Sequence, residues 1–334
     1  MKPLLLGLSG PELTADERAF FAAEQPAGYI LFRRNCVDPV QLRALTDALR
    51  DVAGRADVPI LIDQEGGRVA RMQPPIWPSF PSGEAFDRLY DVAPMSAIEA
   101  ARANAMALAA MLAGVGINVN CLPLLDVRQP DAHDIIGDRA LGAEPLRVAA
   151  LGRAVLDGMR AGGVLGVIKH IPGHGRARAD SHVELPVVDA DAAALESDLA
   201  PFHALRAAPM AMTAHVVYTA WDAGSCASLS PTVIMQVIRG RIGFDGLLMS
   251  DDVGMQALSG DFGARTAGVI AAGCDVALHC SGDMAEMQAC AAAVGEIAGE
   301  ARARLDRAMA SLAGAVGASF ADAVAKRDAL LAYA

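Results

Sequence analysis

The chain has 334 residues, 53% of them hydrophobic and 20% charged, which is apolar material enough for a large core and excludes wholesale disorder. Its 39 Asp and Glu against 28 Lys and Arg leave a formal net charge of −11, which excludes nucleic acid as the main partner, because phosphate backbones need a basic face. No run approaches the roughly 18 consecutive apolar residues of a membrane span.

Six cysteines, Cys36, Cys121, Cys226, Cys274, Cys280 and Cys290, form no C-x-x-C pair, so neither a zinc ribbon nor a thioredoxin-like motif is supported. Their scatter through apolar segments is that of buried thiols in a reducing compartment. The opening MKPLLLGLSGPEL has too short an apolar run for a signal peptide and breaks at Gly-Pro. The expectation is a soluble, cytoplasmic protein, and a monomer, since no interface stripe stands out.

In chain order, eight apolar runs have the length and continuity of strands buried on both faces: LLLGL (4–8), GYILF (28–32), PILID (59–63), INVNCLPLLDV (117–127), GVLGVIKH (163–170), MAMTAHVVY (210–218), GLLMSDD (246–252) and CDVALHC (274–280). Ala-rich amphipathic stretches at 96–114, 143–161 and 189–208 predict helices between them, and Ser230-Pro231 is a helix start. The region after Gly282 reads as helical to the end. About eight β-then-α units without a linker predict a single (β/α)8 TIM-type barrel forming one domain over residues 1–334. A doubly wound open sheet is the alternative, but no G-x-G-x-x-G follows an early strand.

In such a barrel, functional residues lie at the carboxyl ends of the strands. Polar groups gather there: Asp63-Gln64-Glu65, Asp126, Lys169-His170, His215 and Ser250-Asp251-Asp252. In LIDQEGGRVARM (61–72), a carboxylate with an arginine nearby suits a polyhydroxylated ligand, although Glu65 and Arg68 also read as an ion pair under the Gly-Gly turn. IIGDRALG (135–142) adds Arg139. In VIKHIPGHGRARADSH (167–182), His170 and His174 have the spacing of two zinc ligands on a helix, but Pro172 and Gly173 break that helix, and no metal site or cofactor is expected. Asp180 and His182 form either a carboxylate–imidazole acid/base dyad or a solvated surface pair. In GFDGLLMSDD (243–252), alternation lets only one of the two aspartates point into the barrel mouth; Asp252 suits the N-cap of a helix starting near Val253, which leaves Asp251 for chemistry.

These stretches, with MTAHVVY (212–218), in this order and spacing, resemble glycoside hydrolase family 3 and, within it, the single-domain bacterial β-N-acetylglucosaminidases of cell-wall recycling. The resemblance runs from the start to about residue 283. It implies that Asp251 is the catalytic nucleophile and that His182, assisted by Asp180, is the general acid/base on a mobile loop. It further implies that Asp63, Arg71, Arg139, Lys169 and His170 bind the N-acetylglucosamine ring. The family's usual phenylalanine is Ile171 here, a change at a packing position. The implied reaction is retaining double displacement that releases N-acetylglucosamine from a small carbohydrate substrate, with a 1,6-anhydro-muramyl peptide as the leaving group, and Gly173–Gly175 are expected to supply flexibility to the His182 loop. Three competing expectations remain: phosphorolysis, with phosphate in place of water; Schiff-base chemistry at Lys169 in an aldolase-like barrel; and a catalytically silent sugar-binding barrel.

Overall fold

A computed structural model describes residues 1–181, 184–312 and 319–333. Eight parallel strands close into a barrel: β1 Lys2–Leu6, β2 Pro26–Leu31, β3 Ile60–Ile62, β4 Val119–Asn120, β5 Leu165–Ile171, β6 Met210–Thr213, β7 Leu247–Asp252 and β8 Val276–His279. Each lies beside its neighbours in sequence, and β8 pairs β1 to close the ring (Leu4 opposite Ala277, Leu6 opposite His279). All eight apolar runs of the sequence overlap one of these strands.

Side-chain alternation divides the core into two layers. Leu5, Ile30, Leu61, Val167, Met212 and Met249 fill the barrel interior. Leu4, Leu6, Ile60, Ile62, Ile168 and Leu248 face outward, against the helices. The helices are α1 Ala15–Glu24, α2 Pro39–Ala53, α3 Gly83–Val92, α4 Pro94–Gly114, α5 Pro145–Ala161, α6 Glu196–Ala204, α7 Phe262–Ala272, α8 Met284–Ala292, α9 Gly299–Ala310 and α10 Phe320–Leu331. A further helix with π-type bonding runs from Val233 to Ile242, and Ser230, three residues before it, accepts from the Val233 N–H at 3.1 Å.

Three local expectations change. The helix expected over 189–208 shrinks to α6: turns precede it, with Asp191 accepting from the Ala194 N–H at 2.8 Å, and just upstream Val187–Val188 pairs with Val217–Tyr218 as a small strand. No helix starts near Val253: α7 begins at Phe262 under the cap of Asp261, and Asp252 holds a turn by accepting from the Gly254 N–H at 2.9 Å. Gly173 and Gly175 are buried, and a Cβ on Gly175 would collide with the Val127 carbonyl, so close packing rather than flexibility demands glycine there.

Candidate active site

At the carboxyl ends of the strands lies a cavity of about 300 Å³. Its lining includes Asp63, Arg71, Arg139, Lys169, His170 and Asp251, all anticipated from sequence. Three strand ends and two loops deliver them. Asp63 follows β3, and Lys169 and His170 end β5. Asp251 belongs to β7, where alternation after Leu247 and Met249, both interior residues, carries it into the mouth.

The turn after Asp63 sets the arginines. Gln64–Gly66 folds back on Val69–Ala70, with Gly66 and Gly67 at positive φ and Gly66 pressed on Pro81, where no Cβ fits. The Gln64 side chain then accepts from the Arg71 and Met72 backbone N–H groups at 2.9 and 3.0 Å, which returns Arg71 to Asp63. Arg71 reaches Asp63 Oδ2 at 3.1 Å, and its guanidinium lies 5.1 Å from the centre of the Phe32 ring. The buried Arg71 Nε finds no acceptor among the described residues.

Lys169 is the electrostatic centre. Its Nζ, on a side chain 2% exposed, lies 2.9 Å from Asp63 Oδ1 and 2.7 Å from Glu65 Oε1. Glu65 in turn takes both branches of Arg139, at 2.9 and 2.8 Å. The expected Glu65–Arg68 pair does not form; Arg68 bonds Asp138 and the carbonyls of Asp134 and Ile135, fixing the loop that carries Arg139. Burial alone would push Asp63 and Glu65 upward, but Lys169 and Arg71 hold Asp63 well below the carboxylate range, and Arg139 and Lys169 bring Glu65 down to about 2. The same contacts reverse the effect of burial on Lys169 and raise it above its ordinary value, so its amine is protonated at neutral pH.

Glu65 and Asp126 are the members that sequence reasoning left without a site role. Glu65 carried a signal in its position two residues after a strand-ending carboxylate, but a one-dimensional reading paired it with the nearest arginine instead of two distant cations. Asp126, beneath the cavity, contacts His170 Nδ1 at 2.8 Å and accepts from the His170 and His174 backbone N–H groups at 3.1 and 2.6 Å. His170 and His174 thus meet edge-on, 5.6 Å between ring centres, around a carboxylate. His174 Nε2 stands 3.4 Å from Ser181 Oγ. His215 is fully buried between Ser228 and the Asp252 carbonyl and does not line the cavity.

Asp251 accepts from the Asp252 N–H at 2.8 Å, while Asp252 joins the ends of β7 and β8 by accepting from the Cys280 N–H at 3.2 Å. Of the anticipated dyad, Asp180 is half-buried beside Ser181, which lines the cavity; His182 lies outside the described residues. The arrangement offers a carboxylate facing a socket of paired cations and anions, the chemistry of holding hydroxyl groups against a nucleophile.

Comparison with known proteins agrees with the barrel fold. The Glycosyl hydrolase family 3 N terminal domain matches residues 6–313. A β-hexosaminidase of Aromatoleum aromaticum is 37% identical over 309 residues, 91% of this chain and 86% of that protein. Among solved structures, NagZ from Neisseria gonorrhoeae in complex with N-trifluoroacetyl-D-glucosamine superposes with a TM-score of 0.87 at 27% identity, covering 99% of this chain and 98% of that one. A family 3 β-N-acetylglucosaminidase from Paenibacillus sp. str. FPU-7 gives 0.84 at 32% identity over 95% of this chain, which spans 62% of that longer protein. The chain belongs to glycosyl hydrolase family 3.

Proposed function

We propose that the protein is a retaining β-N-acetylhexosaminidase that removes terminal β-linked N-acetylglucosamine by double displacement, with cell-wall turnover fragments of the anhydro-muramyl peptide type as substrates. The observation that carries this reading is Asp251 at the wall of a small polar cavity that also holds Asp63, Arg71, Arg139, Lys169 and His170. The β-hexosaminidase relatives and the neighbour with a bound glucosamine derivative support the sugar.

In the first displacement, an Asp251 carboxylate oxygen attacks the anomeric carbon and forms the glycosyl ester, while His182 gives its proton to the departing oxygen. In the second, neutral His182 takes a proton from water, whose oxygen attacks the anomeric carbon and frees Asp251. Asp180 steadies the imidazolium. The oxygens of Asp63, held by Lys169 on one side and Arg71 on the other, face the ring hydroxyls as preorganised acceptors, and the buried Arg71 Nε supplies a donor that awaits an acceptor.

Lys169 does not serve as a Schiff-base nucleophile in this geometry, since a protonated amine between two carboxylates has no lone pair to offer. Six free cysteines suit a reducing cytoplasm, and we take the working unit to be the monomer, because one chain supplies all the groups named.

The test is p-nitrophenol release from its β-N-acetylglucosaminide, with and without added phosphate. Wild type is expected to be active without phosphate. Asp251→Ala should lose roughly 10³-fold or more, and His182→Ala roughly 10²- to 10⁴-fold with a changed pH profile. An Asp251→Ala enzyme that keeps most of its activity would overturn the nucleophile, and turnover that requires phosphate would replace hydrolysis by phosphorolysis.

A further inference from the structure

Asp126 is fully buried, does not line the sugar cavity, and still uses both carboxylate oxygens on groups that shape it. Oδ2 lies 2.8 Å from His170 Nδ1. Oδ1 accepts from the backbone N–H of His170 at 3.1 Å and of His174 at 2.6 Å. The turn between those histidines is fastened a third time, by the Tyr218 hydroxyl donating to the Gly173 carbonyl at 2.8 Å.

Burial would raise the Asp126 carboxyl, but the facing His170, its hydrogen bond and the His174 contacts bring it down to about 2. It is therefore a carboxylate, able only to accept, and the proton on the shared bond belongs to His170 Nδ1. The opposite ring nitrogen, Nε2, has no partner among the described residues, on a side chain that lines the cavity.

Resting on the glycosidase reading above, we infer that Asp126 is a positioning residue for that reaction: it holds the ring proton of His170 on Nδ1 and fixes the ring's orientation, so that Nε2 is presented to a sugar hydroxyl. It acts through His170 and touches no substrate. Asp126→Asn tests the assignment with little change of shape. The amide oxygen can still serve the two backbone N–H groups, which turns the amide NH₂ toward His170 Nδ1. That nitrogen must then accept, the ring proton moves to Nε2, and the polarity offered to the sugar inverts.

The experiment is ¹⁵N NMR of the histidine rings of the full chain, combined with kinetics. In wild type at a pH where His170 is neutral, its Nδ1 should carry the proton; in Asp126→Asn the proton should move to Nε2. The kcat/KM of Asp126→Asn should fall roughly 10- to 100-fold, the loss expected for a hydrogen bond to a charged group. In a His170→Ala background, the same substitution should cost less than roughly 3-fold, because the group it acts through is gone.

A wild-type His170 protonated on Nε2 would overturn the inference, and that spectrum needs no variant to fold. So would an Asp126→Asn penalty as large without the imidazole as with it, which would mark a purely structural role. Wild type inactive on N-acetylglucosaminides would instead sink the glycosidase reading and leave the tautomer result standing.

Discussion

At the scale of single residues, the cavity is built by compensation. Lys169 sits in the interior of a barrel, where an ammonium alone would be expelled, and remains because two carboxylates meet it. Lys169→Met removes the cation and keeps much of the volume, leaving Asp63 and Glu65 facing each other without a charge between them. The loss should be about 3–5 kcal/mol at pH 7, read by urea denaturation. The penalty should shrink on acidification, since the two carboxylates, freed of Lys169, titrate higher and one can neutralise itself. A penalty constant from pH 7 to about 4 would show that packing, not charge, sets the cost of the substitution. These partners lie 106 and 104 positions apart in the chain (169 − 63 and 169 − 65), which explains why the sequence names the cavity-lining residues but not the pairs among them. Strand-ending carboxylates and the collinear motifs were legible; which cation each carboxylate chooses depends on barrel closure.

At the scale of elements, β7 shows what a strand's pattern can and cannot specify. Its alternation places Leu247, Met249 and Asp251 on the interior face, as read from the sequence, because period two is a property of the extended chain. The turn that follows is set by tertiary hydrogen bonds, so Asp252 joins β7 to β8 instead of starting a helix. At the opposite end, Asp275 performs the corresponding task. This buried carboxylate, just before β8, accepts from the Leu248 N–H at 2.8 Å, from Arg239 at 2.7 Å and from Arg304 at 3.1 Å, joining β7, the 233–242 helix and α9. Asp275→Ala leaves a buried N–H and the Arg239 guanidinium unpaired, and should destabilise by about 3 kcal/mol in urea denaturation. The folded fraction should keep its rate on the glycosaminide within about 2-fold, since the contact lies at the far end of the barrel from the chemistry. A large loss of rate with unchanged stability would reverse the assignment and show that the two ends of β7 are coupled. The helix expected over 189–208 shortened for a related reason: its alanines have the propensity, but the chain arrives from the Val187–Val188 pairing with Val217–Tyr218 through turns in which Asp191 accepts from the Ala194 N–H, and such tertiary constraints are invisible to local periodicity.

At the scale of the whole molecule, the buried groups fix how the fold answers to acid. His174, His215 and His279 are buried with lowered pKa values, His174 down to about 4; burial is the leading cause in each, and His170 adds to it at His174. An imidazole held neutral in the fold binds its proton more readily once unfolded, so its contribution is complete above the ordinary value of about 6.5 and is lost as pH falls through that value. Glu65 and Asp126, each held near 2, and Asp63, held lower still, contribute above the ordinary carboxylate range of about 4 and lose that contribution below it. Asp198 and Asp252, raised chiefly by burial, push the other way, but they are two against six. The urea midpoint should therefore decline from about pH 6.5 and keep declining without a plateau, as the histidine window passes into the carboxylate window. A midpoint flat or rising between about pH 6.5 and 4.5 would mean that the three imidazoles enter the fold charged. Activity should fail in acid as well, because the proposed His182 base must be neutral to take a proton from water. The two losses separate on returning the sample to neutral pH: protonation of the dyad reverses at once, whereas loss through unfolding recovers only as fast as the chain refolds. Rates assayed at each pH and again after neutralisation thus assign the acid limb to the catalyst or to the fold that holds it.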